Sequence, residues 1–446
     1  MKPTLPKGTR DFLPLDIRKR DYIFNIIKNQ FHLFGFDSIE TPAMESLETL
    51  SGNYGDEGDR LLFKVLNNGD FLKDVPEEIL GSKNSNKAIT HLSKRGLRYD
   101  LTVPFARFIV MNRQHIKFPF KRSAIQPVWR ADRPQRGRYQ EFYQCDADVA
   151  GSSSLFYESE LIRLYDEVFD QLSLPVTIRW NNRKILYGIA ESAGLKDHFN
   201  LITIIIDKLD KIGNDGVVKE LESQAFDSKD VSKLMDMIST TTLPELKAKM
   251  QSEQGHLGIS EMERVLSFLD SNGLKNELLF DATLARGLGY YTGCIFEVKA
   301  KDANMGSIGG GGRYDNLTEI FGMKDVSGVG ISFGVERIYD LIEEKKLFPE
   351  SVLGSKNTLI ACLDIDSFGY AIKIQNMLRK LNIACELYPE PVKLQKQMTY
   401  ANELGYAHVA IIGEEESRQN KINLKDMKTG QQSLLSFTEL AEIICQ

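Results

Sequence analysis

The sequence predicts an α+β protein: a strand-rich N-terminal region interrupted by a helical insertion, followed by a small C-terminal α/β domain. Three observations predict it. Residues 123–151 read as strand, polar loop and strand. Residues 196–276 keep helical periodicity with many Lys, Asp and Glu. Beyond residue 357 strand-like and helix-like stretches alternate. At 446 residues the chain is too long for one ordinary core, so two or three domains are expected.

Each element has its own reason. From Asp16 to Phe34 the apolar residues Ile23, Phe24, Ile27, Phe31 and Phe34 recur at helical spacing, and Gly35 follows where a helix end favours a left-handed residue. "FDSIETPAM" then alternates as a short strand, which Pro42 confines to an edge or a strand end. Residues 50–96, rich in Gly, Asp, Asn, Lys and Ser, suit a surface connection with short strands inside it. Val176, Ile178 and Trp180 alternate as a strand. "CIFEV", the glycine tract "GSIGGGGRYDNL" and "GVGISFGVERIYDLI" read as strand, loop, strand and helix. "KLFPESVLGSKN" loses all periodicity and marks a linker, residues 346–356. It separates a domain of residues 1–345, with its helical insertion at about 196–276, from a domain of residues 357–446.

The totals narrow the class. Five cysteines, scattered, odd in number and without a CxxC pair, support neither a disulfide framework nor a zinc ribbon, and suit a reducing cytosol. The N-terminus has no signal-like apolar core, and no apolar run approaches the length of a membrane span, so a soluble, unprocessed chain is expected. The six histidines show neither HxxxH nor HExxH spacing. The net charge of -6 excludes a generally polyanion-coated protein but not a local basic surface.

One such surface stands out. Between Arg113 and Arg138 there are eight Lys or Arg against a single acid, Asp132. Charge alone suits a solvated basic face as well as a polyanion site. Order within the stretch favours the site: Arg130 ends an apolar strand pattern and is rigidly aimed, with a planar fork suited to phosphate. Arg133, Arg136 and Arg138 lie in the adaptable Pro/Gly loop. The glycines of "GGGGRYDN" permit close backbone approach to a ligand, or simply a flexible turn. Neither a P-loop nor the dinucleotide fingerprint is present. "LARGLGYYTG" joins an arginine, glycines and a tyrosine pair in a way that packing of a buried strand does not require. In "GVGISFGVERI", Glu336 and Arg337 open a helix, either as a ligand site or as a surface salt bridge at a strand-to-helix crossover.

These stretches occur in the order of a known set. "PKGTRDFLP", the long helix and strand ending at Pro42, "WRADRPQRGRYQEFYQCD", "LARGLGYYTG", "GGGGRYDNL" and "GVGISFGVERI" together make the chain resemble the histidyl-tRNA synthetase family of class II aminoacyl-tRNA synthetases over essentially its whole length. The resemblance implies a class II antiparallel catalytic sheet flanked by helices, with a helical insertion and a C-terminal α/β anticodon-binding domain. It implies adenylation of histidine by ATP with Mg²⁺, then transfer to the 3′ end of histidine tRNA, in a cytoplasmic homodimer joined through the first motif. By resemblance Arg130 holds the α-phosphate, Arg337 the γ-phosphate, and Arg138 assists the β- and γ-phosphates. Phe142 and Arg337 sandwich adenine, and Arg286 bridges the substrate carboxylate and the α-phosphate. Asp100, Thr102 and Gln144 take the α-amino group; Asp148 accepts the imidazole N–H and Tyr291, beside Tyr290, donates its hydroxyl. Arg133, Gln135 and Arg136 face the tRNA acceptor end. The resemblance assigns no metal ligand. Gly289 stands where the family most often has an acid, and Asp100 and Asp148 stand where some members carry Glu. A regulatory paralogue of the catalytic domain lacks the C-terminal domain and erodes the arginines, and a tRNA sensor is joined to a kinase; this chain keeps both features and has no ordered kinase motifs.

Overall fold

The computed structural model describes residues 2–51, 60–269, 273–285, 290–353 and 356–444. The chain divides into two compact units, Met1–Leu347 and Phe348–Gln446. The first is built on a mostly antiparallel eight-stranded sheet. Its strands are β1 (Asp37–Ser38), β2 (Phe120–Trp129), β3 (Glu141–Ala150), β4 (Val176–Asn182), β5 (Glu277–Phe280), β6 (Cys294–Ala300), β7 (Gly309–Tyr314) and β8 (Gly328–Gly334). They lie in the order β1-β2-β3-β8-β7-β6-β4-β5, with parallel pairs only at the two edges.

Strand alternation gives the sheet two unlike faces. Val329, Ile331 and Phe333 of β8 point one way with Cys145, Ala147 and Val149 of β3, and all six are buried. The predicted long helix, α1 (Pro14–Leu33), covers this face together with α2 (Phe156–Gln171). Phe333 meets Phe31 of α1 at 6.0 Å and Tyr165 of α2 at 4.9 Å between ring centroids. Proline begins α1, where a missing N–H costs nothing, and Gly35 follows it with φ of 74°. The other face carries, beside Phe142, polar and small residues: Gln144, Asp146 and Asp148 of β3, and Gly330, Ser332 and Gly334 of β8. A half-apolar antiparallel sheet of this kind leaves one face for chemistry.

The glycine tract departs from expectation. It is not a loop but β7, the strand between β6 and β8. Propensity argues against such a strand, and its neighbours explain it: a Cβ on Gly311 would lie 2.1 Å from the Gly330 carbonyl oxygen, and one on Gly312 would lie 2.6 Å from that of Cys294. Among the described residues, the stretch from residue 50 on holds two strands of a separate three-stranded sheet, Lys64–Val65 and Arg95–Leu97, joined there by Met44–Ser46.

Between the parallel strands β4 and β5 the chain is helical from Arg183 to Leu269, which supplies the crossover a parallel pair needs. The helices Arg183–Ser192 and Glu253–Leu269 pack so closely that a Cβ on Gly188 would lie 2.4 Å from the Gly255 Cα.

The second unit is a five-stranded sheet in which Lys356–Cys362 pairs in parallel with Cys385–Leu387 and with the central strand Tyr406–Ile412, and two antiparallel strands, Ile422–Asp426 and Gln432–Leu435, complete it. Ile360 and Cys362 pack with the helices Phe368–Lys380 and Phe437–Ile444. Leu359 and Ala361 pack on the opposite side with Ala401 of the helix Leu394–Glu403. Both faces are covered, as the parallel half of this mixed sheet requires.

Candidate active site

The polar face of the large sheet opens into a cleft of about 600 Å³. Of the residues singled out from sequence, Asp100, Thr102, Arg130, Arg138, Phe142, Gln144, Tyr290, Tyr291 and Arg337 all line it. Small residues make the room: Gly310, Ser332 and Gly334 line the cleft where larger side chains would fill it.

Its polar groups are held before any ligand arrives. Arg130, immediately after β2, donates from Nε to the Tyr99 carbonyl at 3.0 Å and from a terminal nitrogen to Gln144 Oε1 at 3.3 Å. The Gln144 amide in turn donates to Ser332 Oγ at 2.9 Å, which fixes which way the amide points. The Arg130 guanidinium also lies 4.3 Å over the Tyr99 ring. Arg337 donates from Nε to the Gly137 carbonyl at 2.9 Å and from a terminal nitrogen to the Ser307 carbonyl. Gly137 is required there: its φ is 67°, and a Cβ would lie 2.9 Å from Arg337 Cγ. Asp100 is buried at the start of the helix Thr102–Met111, where its Oδ1 accepts the Val103 N–H at 3.2 Å. A carboxylate at a helix N-terminus is favoured by the unpaired N–H groups there.

Burial pushes the Tyr291 phenol above its usual pKa, and Asp148, Asp100 and Asp146 push it further, so it remains a proton donor at neutral pH. Burial raises the Glu336 carboxyl as well, against the lowering pull of Arg20 and Arg10.

Other residues fall elsewhere. Asp148 does not line the cleft: it is buried behind the wall, where Oδ1 accepts the Tyr314 hydroxyl at 2.7 Å and Oδ2 faces Arg122 at 3.2 Å. Arg133, Gln135 and Arg136 are exposed on the loop after β2, and Arg136 pairs with Glu344 across the surface. Arg286 and Gly289 lie outside the described residues. Arg313, in the glycine-tract motif, does not reach the cleft but forms a buried pair with Glu158.

The basic stretch is smaller as a surface than its composition suggests. Lys121 is bound to Glu160 at 2.7 Å, and Arg122 is 1% exposed. Neither a surface salt bridge nor solvent accounts for Glu336: it is buried, borders the cleft, and has Arg20 at 3.5 Å and Arg10 at 3.8 Å. Tyr139 is a lining residue that residue type alone did not reveal; Arg10 stacks 3.5 Å over its ring. The signal for it was the opening "KGTRDF", whose Gly8 carbonyl accepts the Gln140 N–H at 2.8 Å and so ties that segment to the loop after β2.

Comparisons with known proteins agree on one family. Residues 89–338 match the family model for histidyl-tRNA synthetase, and residues 357–446 match the model for an anticodon binding domain. The chain is 50% identical to a histidine–tRNA ligase of Phocaeicola vulgatus over 99% of each chain. It is 51% identical to one of Bacteroides fragilis over 98% of each. The crystal structure of histidyl-tRNA synthetase from Nostoc sp. PCC 7120 is 28% identical and superposes with a TM-score of 0.84, covering 100% of this chain and 99% of that one.

Proposed function

The chain belongs to the histidyl-tRNA synthetase family and ligates histidine to tRNA, and from that premise we propose that its cleft joins histidine to ATP through the residues gathered there. The observation that carries this reading is the fixed chain from the Tyr99 carbonyl through Arg130 and Gln144 to Ser332, which presents a guanidinium and an amide together in one wall.

The reaction needs no protein nucleophile. A histidine carboxylate oxygen attacks the α-phosphorus, the bond from that phosphorus to the bridging oxygen breaks, and pyrophosphate leaves with the electron pair. The enzyme's task is to orient two anions and neutralise charge that shifts between them. Arg130 suits the α-phosphate because two of its nitrogens are already tied down while it lines the cleft. Arg337 suits the γ-phosphate and, with Phe142 across the same cleft, the two faces of adenine; Arg138 suits the β- and γ-phosphates. Arg286, between substrate carboxylate and α-phosphate, completes the set in this reading. The α-ammonium would lie against Asp100, Thr102 and Gln144, a carboxylate and two neutral acceptors. The ring's acceptor nitrogen would go to the Tyr291 hydroxyl, and the imidazole N–H to the buried Asp148, whose oxygens keep acceptor capacity beyond the Tyr314 hydroxyl and Arg122 that already meet them.

Mg²⁺ accompanies ATP and supplies charge neutralisation at the phosphates. Among the described residues no three of His, Cys, Asp and Glu converge to cage a metal. Glu336 borders the cleft, and its Oε2 is buried without a hydrogen-bond partner, which fits an ion held mainly by phosphate oxygens with one carboxylate.

Residues 1–345 serve as catalytic domain and 357–446 as anticodon-binding domain, with 346–356 as linker. The exposed Arg133, Gln135 and Arg136 would meet the tRNA acceptor end, where phosphate contacts make binding salt-sensitive. A cytoplasmic homodimer is part of the same reading. The test is charging of histidine tRNA by the purified protein and by Arg130→Ala. We expect histidine alone among amino acids to be transferred, and the variant to lose on the order of 100-fold in kcat, as removal of one preorganised donor does. An unchanged rate in Arg130→Ala would remove the α-phosphate assignment.

A further inference from the structure

Behind the cleft wall lies a buried layer of charge that the adenylation chemistry does not touch directly. On the site face of the sheet Arg122 of β2 is paired across the strands with Asp148 of β3, which is paired in turn with Gly330 of β8. One step along, Ala124 is paired with Asp146, and Asp146 with Ser332. Arg122, Asp146 and Asp148 are each no more than 2% exposed. Two carboxylates therefore share one guanidinium, and they do not share it equally: Arg122 is 3.2 Å from Asp148 Oδ2 but 4.0 Å from Asp146 Oδ2.

The surroundings hold Asp148 on every side. Tyr314 reaches across from β7 to donate to its Oδ1. Gly330 leaves the space its carboxylate occupies, since a Cβ there would lie 1.9 Å from Asp148 Oδ1. Arg122 is itself immobilised by the Leu101 carbonyl at 2.6 Å and by the Phe105 ring, 4.3 Å from its guanidinium carbon.

We propose that Arg122 is a positioning residue for histidine selection, holding the Asp148 carboxylate charged and fixed so that it accepts the imidazole N–H. The inference rests on the reading of Asp148 as the imidazole acceptor. Without a cation, a carboxylate in this layer is driven to its neutral form by burial and by its acidic neighbours. The neutral form is a poorer acceptor and spends one oxygen on its own proton. The groups facing Asp148 are Arg122 from β2, Asp146 from its own strand, Tyr314 from β7, Tyr291, and Asp100 ahead of the helix Thr102–Met111. Arg122 is the cation among them. Burial raises both carboxyls, Asp146 to about 7 and Asp148 above its ordinary value, and Arg122 opposes the rise at both; at 3.2 Å from Asp148 against 4.0 Å from Asp146, it favours the charged form of Asp148 more closely.

The experiment is histidine-dependent ATP–pyrophosphate exchange by the full chain and by Arg122→Met between about pH 6.5 and 9, with the KM for histidine and for ATP measured separately. The variant-to-wild-type ratio at each pH cancels titration of histidine itself. We expect the ratio for histidine to be about tenfold or more at the acid end and to shrink severalfold toward the alkaline end, as Asp148 regains its charge. The ATP ratio stays within about twofold. Asp148→Asn should reproduce the loss without its pH dependence. If Arg122→Met fails to fold, Arg122→Met/Asp146→Asn removes one charge of each sign and should show the same pH-dependent loss. A pH-independent loss, a parallel rise in the KM for ATP, or an unaffected Asp148→Asn would overturn the proposal. Absence of histidine exchange in the unaltered chain would instead overturn the functional reading beneath it.

Discussion

Arg313 and Arg122 differ in how completely their nitrogens are used, and so in what each can do. Arg313 meets Glu158 at 2.5 and 2.7 Å, the Ser327 hydroxyl at 2.6 Å and the carbonyls of Ser152 and Ser154 at 3.2 Å each. Every nitrogen has a partner, Glu158 is 0% exposed, and the group joins β7 to α2 as a structural tie. Arg313→Met should lower stability by about 3–5 kcal/mol by leaving Glu158 buried and unpaired, read as a shift in the urea midpoint. A shift too small to resolve would mean that Glu158 finds another partner or a proton at little cost. Asp146 makes a pH prediction. Its folded pKa of about 7 is above the ordinary carboxyl value, so the folded state binds the proton more tightly than the unfolded one. That contribution is present at low pH and is lost as pH rises toward and through about 7. Asp146→Asn should therefore flatten the fall in stability between about pH 4 and 7 and, on the order of 1–3 kcal/mol, stabilise the protein near pH 8. Parallel stability curves for the two proteins would contradict it.

At the scale of elements, the segment before α1 acts on the loop after β2. Arg10 lies between the Tyr139 ring at 3.5 Å and Glu336 at 3.8 Å, and both of those residues border the cleft. Gly8, with φ of 81°, lies where a Cβ would come within 2.6 Å of Gln140. Arg10→Ala should thus raise the KM for ATP by about tenfold and leave that for histidine nearly unchanged, in steady-state exchange kinetics. Equal changes in both would show that the segment supports the whole cleft and not its nucleotide half. The sequence disclosed α1 because a helix buries a stripe set by local spacing, and Ile23, Ile27 and Phe31 lie on it. It disclosed β2 and β3 because their apolar positions flank a polar loop. It did not disclose β7, because a run of four glycines is a strand only by virtue of the strands β6 and β8 on either side. Nor could it separate Arg122 from the basic surface around it: the partner, Asp148, is 26 residues away and meets it only through the pairing of β2 with β3. The cleft itself was more legible, since Arg130, Gln144 and Arg337 belong to motifs whose residue types already suit phosphate and ammonium; Tyr139 and Glu336 depended on where the N-terminal segment lies.

At the scale of the whole chain, the two compact units divide the work in the proposed reading. Removal of residues 357–446 should weaken tRNA charging while sparing histidine-dependent pyrophosphate exchange, because the lining of the cleft lies entirely in the first unit. An intact charging rate in that truncation would contradict an anticodon-binding role for the second. Among the described residues no helix is long and apolar enough to cross a membrane. The central claim is that the cleft activates histidine, and pyrophosphate exchange by the purified full chain, amino acid by amino acid, with ATP and Mg²⁺ and without tRNA, tests it most directly. The account predicts exchange with histidine alone. Exchange with another amino acid at a comparable rate, or none with any from a folded protein, would contradict it.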